Sequence, residues 1–340
     1  MAGRCCVERG RKGPKSVSLN PALSPNVLWG VTLAFTAMVV YGVCMVTVAS
    51  AAKGMSSGPG SLLAAAAGVP IGIIIVLMQW AGGYEISVPS SWSIVAFALA
   101  GICSTYLGRW LVFKSIELIG PSRSAGLQSI SPLITAVFGW IFLGEVIGTI
   151  GFVGIALGIA GLLAISMDID RSQQKTAWPA RAVRTGPRRG FISSALLIGV
   201  GSAAAYSLSH VFRASAVRQW NEALLGALIG AAAGLLVLAL ASHKRVPEYV
   251  RQVRANPKAA RVYLAVGSLQ FLAQALVIAS MKYIPASMVA LISMCTPLVV
   301  LPVSYFALRN DEHLSGVTVL GIAITLAGIA LVVLYGAPAS

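Results

Sequence analysis

Apolar residues run along this chain in long blocks separated by short polar stretches. A bilayer core about 30 Å thick takes roughly 20 apolar residues as a helix. Ten blocks meet that length: Leu28–Ser50, Ser61–Trp80, Ser93–Ile116, Ser122–Leu143, Val146–Met167, Phe191–Phe212, Ala223–Ser242, Val262–Tyr283, Ala286–Leu308 and Leu314–Tyr335. Gly144–Glu145 alone separates the fourth block from the fifth, so those two helices are predicted to be antiparallel neighbours. The longest connection, residues 168–190, is polar and basic and carries two prolines. The pattern therefore predicts an all-α integral membrane protein: a basic tail (1–27), five helices (28–167), a polar linker (168–190), five more helices (191–335) and a short tail (336–340).

The two halves repeat. YGVCMVTVASAAK from Tyr41 aligns with YSLSHVFRASAVR from Tyr206, 165 positions later. The same offset pairs Leu111 with Leu276, Ser115 with Ser280 and Pro132 with Pro297. After two inserted residues the offset of 167 pairs Glu145 with Glu312, Gly154 with Gly321 and Gly161 with Gly328. A unit of five helices has an odd count, so its second copy enters the membrane upside down. Inverted repeats of this kind are a mark of transporters that bind substrate near the midplane, between the halves.

Composition narrows the partners. The chain is 57% hydrophobic and 10% charged, with 25 Lys and Arg against 10 Asp and Glu, a net charge of +15. About 25% charge is usual for a soluble domain, so lipid covers much of this surface. The cations lie in short segments between apolar runs, which fits topology and anionic-lipid contact rather than nucleic acid. Cys44, Cys103 and Cys295 lie within apolar runs and Cys5 and Cys6 in the tail, without metal or disulfide spacing. No metal and no cofactor is expected.

Pro132 and Pro297, in the fourth and ninth helices, each remove a backbone donor and free a carbonyl one turn earlier. They read either as static kinks or as kinks that move during gating. Glu145 and Glu312 stand just before the fifth and tenth helices, where a carboxylate complements the unpaired amides of a helix start. Gly151, Gly154, Gly158 and Gly161 give the fifth helix a face of small residues, suited to close helix packing.

Arg109 is the most informative ionisable residue, because charge inside a membrane is costly and none of the ten acids falls clearly at mid-depth. Three readings stay open: it snorkels to the interface, it bonds carbonyls freed by Pro132, or it faces a wet cavity and meets an anion. Uncharged polar groups form helical stripes. Ser124, Gln128, Ser131 and Thr135 share one face of the fourth helix, and Ser293 and Thr296 are the repeat mates of Gln128 and Ser131. Gln270 and Gln274 are four apart in the eighth helix, with Gln274 the mate of Arg109. Tyr206 and His210 are four apart in the sixth, with Tyr206 the mate of Tyr41. These stripes either line one cavity or hydrogen-bond between helices. The cavity reading puts the substrate between the third, fourth, eighth and ninth helices, with the first and sixth closing it.

A family resemblance joins these observations. The stretch IELIGPSRSAGLQSISPLITAVFGWIFLGEVIGTIGFVGIALGIAGLLAI and its second copy, YIPASMVALISMCTPLVVLPVSYFALRNDEHLSGVTVLGIAITLAGIALVVL, resemble the two halves of ten-helix, EamA-type members of the drug/metabolite transporter superfamily. The resemblance runs from Leu28 to Tyr335 and implies a carrier of small metabolites with a central cavity. The second copy departs at Asn310 and Asp311, which extend the turn before Glu312, and at Pro302.

The expected activity is secondary, non-ATP transport by alternating access. The expected solute is neutral, zwitterionic or anionic, and the expected location the plasma membrane. The alternative is a flippase for a lipid or polyprenyl-phosphate carrier. An enzyme is disfavoured, since no HExxH, GxSxG or phosphate-binding loop occurs. Ten helices put both termini on one side. Eight cations fall on that side, Arg213 among them, and sixteen on the other. The positive-inside rule then points to external termini, whereas the resemblance implies cytoplasmic ones.

Overall fold

The computed structural model describes residues 25–51, 55, 57–119, 127–145, 148–175, 189–296, 298–299, 303 and 316–335. Pro297, Glu312, Ser124 and both cysteines of the N-terminal tail lie outside the described residues. Among the described residues, helices lie within or along the predicted blocks: α1 (Pro25–Ala51), α2 (Ser57–Ala81), α3 (Ser91–Gly101), α4 (Arg109–Ile119), α5 (Ser131–Leu143), α6 (Thr149–Lys175), α7 (Arg189–Gln219), α8 (Ala223–Ser242), α9 (Val246–Ala255), α10 (Pro257–Ser280), α11 (Ala286–Met294) and α12 (Gly316–Tyr335). Among the described residues, five spans, centred on α1, α2, α3–α4, α8 and α10, are long and apolar enough to cross a membrane, and shorter apolar helices occur in α5, α6 and α12.

Inverted symmetry is visible in the packing. α1 packs on α10, and its counterpart α7 packs on α3 and α4. α2 packs on α10, and its counterpart α8 packs on α3. α5 packs on α7, and its counterpart α11 on α1. The fifth span meets the tenth, its own counterpart: α6 and α12 form the most extensive helix pair. Their seam is glycine. A Cβ on Gly154 would come 2.8 Å from the Gly328 carbonyl oxygen, and one on Gly161 would come 2.6 Å from that of Gly321. The small-residue face of α6 thus serves packing within the chain, because only hydrogen at these positions lets the backbones touch.

Three local features differ from the sequence reading. The third span is not one regular helix: a π-helical turn, Ile102–Gly108, joins α3 to α4. Such turns recur at functional sites. The fourth span is interrupted. Ser129 and Ile130 form a turn, and α5 starts at Ser131 with Pro132 in its first turn. Pro132 therefore begins a helix, the place where a missing donor costs nothing, instead of kinking one. A matching turn at Cys295–Thr296 ends α11 in the ninth span. Finally, α6 continues to Lys175 and α7 starts at Arg189, so the expected connection is helical at both ends.

Alternation of direction brings the ends of the spans together in two layers. At the end where α1 begins, residues 84–90, 145, 218–222 and 282–286 meet. At the opposite end Met55, Ala259 and Tyr263 form a small apolar cluster beside Val253 of the short helix α9.

Candidate central cavity

Between the spans lies a cavity of about 340 Å³, its wall drawn from α1, α2, the third span, α7, α8, α10 and α11. The small residues that let helices cross closely also shape it. A Cβ on Gly101 would strike the Gly230 backbone, and one on Gly267 the Ala64 backbone, so each crossing requires glycine. Phe97 and Phe271 lie on the same wall, and Phe97 stacks edge-on against Trp220, ring centroids 6.3 Å apart.

Eight of the ten predicted substrate residues line this space: Tyr41, Arg109, Tyr206, His210, Gln270, Gln274, Ser293 and Thr296. Gln128 and Ser131 are not on its wall. Gln128 Nε2 donates to Ser202 Oγ, and Ser131 Oγ meets Ser207 Oγ at 2.9 Å, both on α7. Ser207 Oγ also donates to the carbonyls of Ser131 (2.9 Å) and Ala203 (2.8 Å). Thr135 turns its hydroxyl back to the Ser131 carbonyl (2.9 Å). The single stripe read along the fourth span does not exist as such, because the turn at Ser129–Ile130 interrupts its helical phase. Of its described members, Gln128 and Ser131 find their partners on α7, and Thr135 on the Ser131 carbonyl. The fourth span thus gives way to α2 and α8 in the wall.

The centre of the site is built on the pseudo-two-fold axis. Tyr41 and Tyr206 are repeat mates, as are Gln274 and Arg109. The Gln274 amide lies against the Tyr41 hydroxyl at 2.9 Å. Correspondingly, Arg109 and Tyr206 lie side by side on the cavity wall, where Gly108 packs against the Tyr206 ring. Each tyrosine of one repeat thus meets, in the other repeat, the mate of the group its own mate meets.

Arg213 breaks this symmetry, and the sequence reading gives it no place in the site. It lies on the cavity wall with only 7% of its surface exposed. Its Nη2 donates to Ser104 Oγ (2.8 Å) in the π-helical turn. In the amide orientation that satisfies both neighbours, Gln274 Nε2 donates to Tyr41 Oη (2.9 Å). Gln274 Oε1 then accepts from Arg213 Nη1, Nε and Nη2 at 2.6–2.9 Å. A signal is present in the sequence: Tyr206, His210 and Arg213 follow at steps of four and three, one helical face. Assigning Arg213 to the cations of the terminal face obscures it.

The electrostatic consequence is direct. Arg109 and Arg213 both face the cavity, and among the described residues no carboxylate lines it. Two further polar groups on the wall are unsatisfied: His210 Nδ1, on a residue 6% exposed, and Ser293 Oγ have no hydrogen-bond partner. A buried donor or acceptor without a partner costs about 1–3 kcal/mol. The wall therefore presents positive charge and unfilled hydrogen-bonding capacity to whatever occupies it.

Glu145 caps a helix, though not its own. Its Oε1 accepts from the backbone N–H of Ala286 (3.0 Å), the first residue of α11, and from the Arg218 guanidinium. The left-handed Gly144 (φ 64°) sharpens the turn before it and directs the carboxylate towards the second repeat. The expected cap on the fifth span is thus corrected to a cap on the ninth.

Comparison with known proteins follows the same lines. A family model for the EamA-like transporter family matches residues 28–167 and 193–334. No curated protein matches the sequence. Among solved structures, a protein crystal structure with 16% sequence identity superposes with a TM-score of 0.63, over 91% of this chain and 98% of the other. At that identity the likeness concerns the fold alone.

Proposed function

From the fact that this chain belongs to the EamA-like transporter family, and is thus an integral, multi-pass membrane transporter of small solutes, we propose a narrower activity. It is a secondary transporter, working by alternating access in the plasma membrane, for a small organic solute that carries an acidic group. One observation carries this reading: two guanidiniums, Arg109 and Arg213, share a cavity wall without a carboxylate among its described residues. A permanent cation would meet repulsion there, and a neutral solute would leave both charges poorly solvated. A carboxylate or phosphate is attracted to both. Tyr41, Tyr206, Gln270 and the unpartnered His210 and Ser293 supply hydrogen bonds to the polar body. Phe97, Phe271 and the glycine-rich crossings accommodate an apolar portion. Inverted repeats related by the axis through the Tyr41 and Tyr206 pairs supply two equivalent arrangements of the scaffold. Transport driven by a solute gradient or by exchange needs no nucleotide.

A thermal-shift screen of purified protein against acidic, neutral and cationic small solutes tests this, followed by uptake into vesicles with any solute that binds. Acidic solutes should stabilise the wild type, and less so Arg213→Gln and Arg109→Gln. Preferential stabilisation by cations, or equal stabilisation of all three proteins by an acid, would overturn the acidic-solute reading. ATP-dependent uptake without a gradient would overturn the secondary mechanism, and translocation of labelled lipid in place of a soluble acid would favour a flippase.

A further inference from the structure

We propose that Glu145 is the latch of a gate on the face of the protein that carries the chain ends, and that it couples this gate to the cavity through α11. This rests on the alternating-access reading above. The Glu145 carboxylate is the point where three separate pieces meet: the turn between α5 and α6 in the first repeat, and the end of α7 and the start of α11 in the second. The same face carries further polar contacts. Between the halves, Trp220 Nε1 donates to the Ser87 carbonyl (2.9 Å) and Ser87 Oγ donates to Glu222 (3.2 Å); within the second repeat, Lys282 Nζ donates to the Asn221 carbonyl (2.8 Å). These contacts tie the two halves together at this face.

Two features make Glu145 a latch and not a permanent bolt. First, its bonding is incomplete. The residue is 8% exposed, yet Oε2 has no hydrogen-bond partner, and it lies where a Cβ on Gly139 would come within 2.7 Å. Hydration on opening would satisfy that oxygen, which offsets the hydrogen bonds that opening breaks. Second, its partner is already at the water. The Arg218 side chain is 37% exposed while that of Glu145 is 5% exposed, so the pair straddles the rim. Parting it places one charge, not two, in a new environment.

The coupling runs along α11. Ala286, whose amide the latch holds, begins a nine-residue helix, about 13 Å long at 1.5 Å per residue. Ser293 lies on it near the far end, and Thr296 in the turn that follows; both are on the cavity wall. Release of the Ala286 amide frees one end of a rigid rod whose other end forms part of the site. The unpartnered Ser293 hydroxyl gives a bound solute a handle on the same rod.

The test uses the full-length protein with Cys5 and Cys6 replaced by serine and Ala231→Cys placed on the cavity wall. The buried native cysteines stay in place. A membrane-impermeant thiol reagent is applied to the face carrying the chain ends, with solute binding followed in parallel by thermal shift. Glu145→Gln and Arg218→Gln should each raise the labelling rate about tenfold, as expected for loss of a charge-assisted hydrogen bond. The double variant should add little. Arg218→Gln alters a half-exposed side chain and keeps the test open if Glu145→Gln does not fold. Unchanged labelling in a folded Arg218→Gln or Glu145→Gln variant would overturn the latch and leave the transport reading intact. A steady ohmic current through the parent protein in a planar bilayer would instead overturn alternating access, and the latch with it.

Discussion

The two halves of the cavity share a backbone and differ in chemistry. On one side of the axis Tyr206 lies beside Arg109; on the other, Tyr41 meets Gln274. The scaffold around the two pairs is matched helix for helix, down to the crossings at Gly101 and Gly267. The second repeat does not carry its positive charge at the position that corresponds to Arg109. It uses Arg213, from the sixth span, which holds Gln274 from behind and reaches Ser104 in the π-helical turn. The lesson is a division of labour. On the proposed transport reading, symmetry of the fold supplies two interchangeable arrangements, while asymmetry of the side chains lets one site for an acidic group serve both.

Removing the asymmetric partner should have the largest effect. Arg213→Gln takes away a guanidinium that is nearly enclosed and leaves the Gln274 carbonyl without its donor. Affinity for an acidic solute should fall about 10- to 150-fold, the range for losing a charge-assisted hydrogen bond of roughly 1.5–3 kcal/mol. Thermal-shift titration measures it. A fall smaller than twofold would mean that Arg213 only braces the helices.

Arg109→Gln makes the two pairs alike. Arg109 is more accessible than Arg213, so water offsets more of its loss, and the fall should be nearer to tenfold. If it exceeds that of Arg213→Gln in the same titration, the first repeat holds the acid group and the assignment of Arg213 as the principal anchor is wrong.

Hydroxyl removal is subtler. Tyr41→Phe strips Gln274 of one partner, at about 1 kcal/mol or roughly fivefold in affinity, and Tyr206→Phe removes the hydroxyl beside Arg109. The Tyr206 variant should weaken acid binding in particular, because Arg109 loses a polar neighbour; the Tyr41 variant should weaken binding of acidic and neutral analogues alike. Identical profiles for the two would erase the functional difference between the halves.

Ser131→Ala should do least. Its hydroxyl faces Ser207 across the α5–α7 contact and not the cavity. Transport should stay within about twofold while stability falls by roughly 0.6 kcal/mol, the average for a polar contact between membrane helices. A tenfold loss of transport would return the fourth span to the site.

Much of this is legible in the chain. Block lengths mark the spans, and matching Tyr, Pro, Glu and Gly on one diagonal reveals the repeat. Arg109 and Gln274 stand out because they are repeat mates of unusual polarity in apolar surroundings. Arg213 is legible as an ionisable residue towards the end of the sixth span, but its mate is Val48, so the diagonal gives no hint that it belongs to the site. Gln128 and Ser131 fall into the cavity only if a regular helix runs through Ser129–Ile130, and proline's effect depends on where the helix starts. The π-helical turn has no sequence signature. The partner of Glu145 is out of reach for a different reason: a carboxylate before one helix gives no sign that the turn aims it at another, more than a hundred residues away.

The glycine seam between α6 and α12 bears on how the protein is made. It joins Gly154 to Gly328, the second of them close to the end of the chain. Synthesis proceeds from the N-terminus, and early parts of a chain settle first. The fifth span must therefore wait in the bilayer, its small-residue face against lipid, until the last span has been inserted. A chain cut before residue 316 should then be short-lived in cells. Supplying α12 as a separate peptide should restore its lifetime, and Gly161→Leu in the cut chain should abolish that rescue.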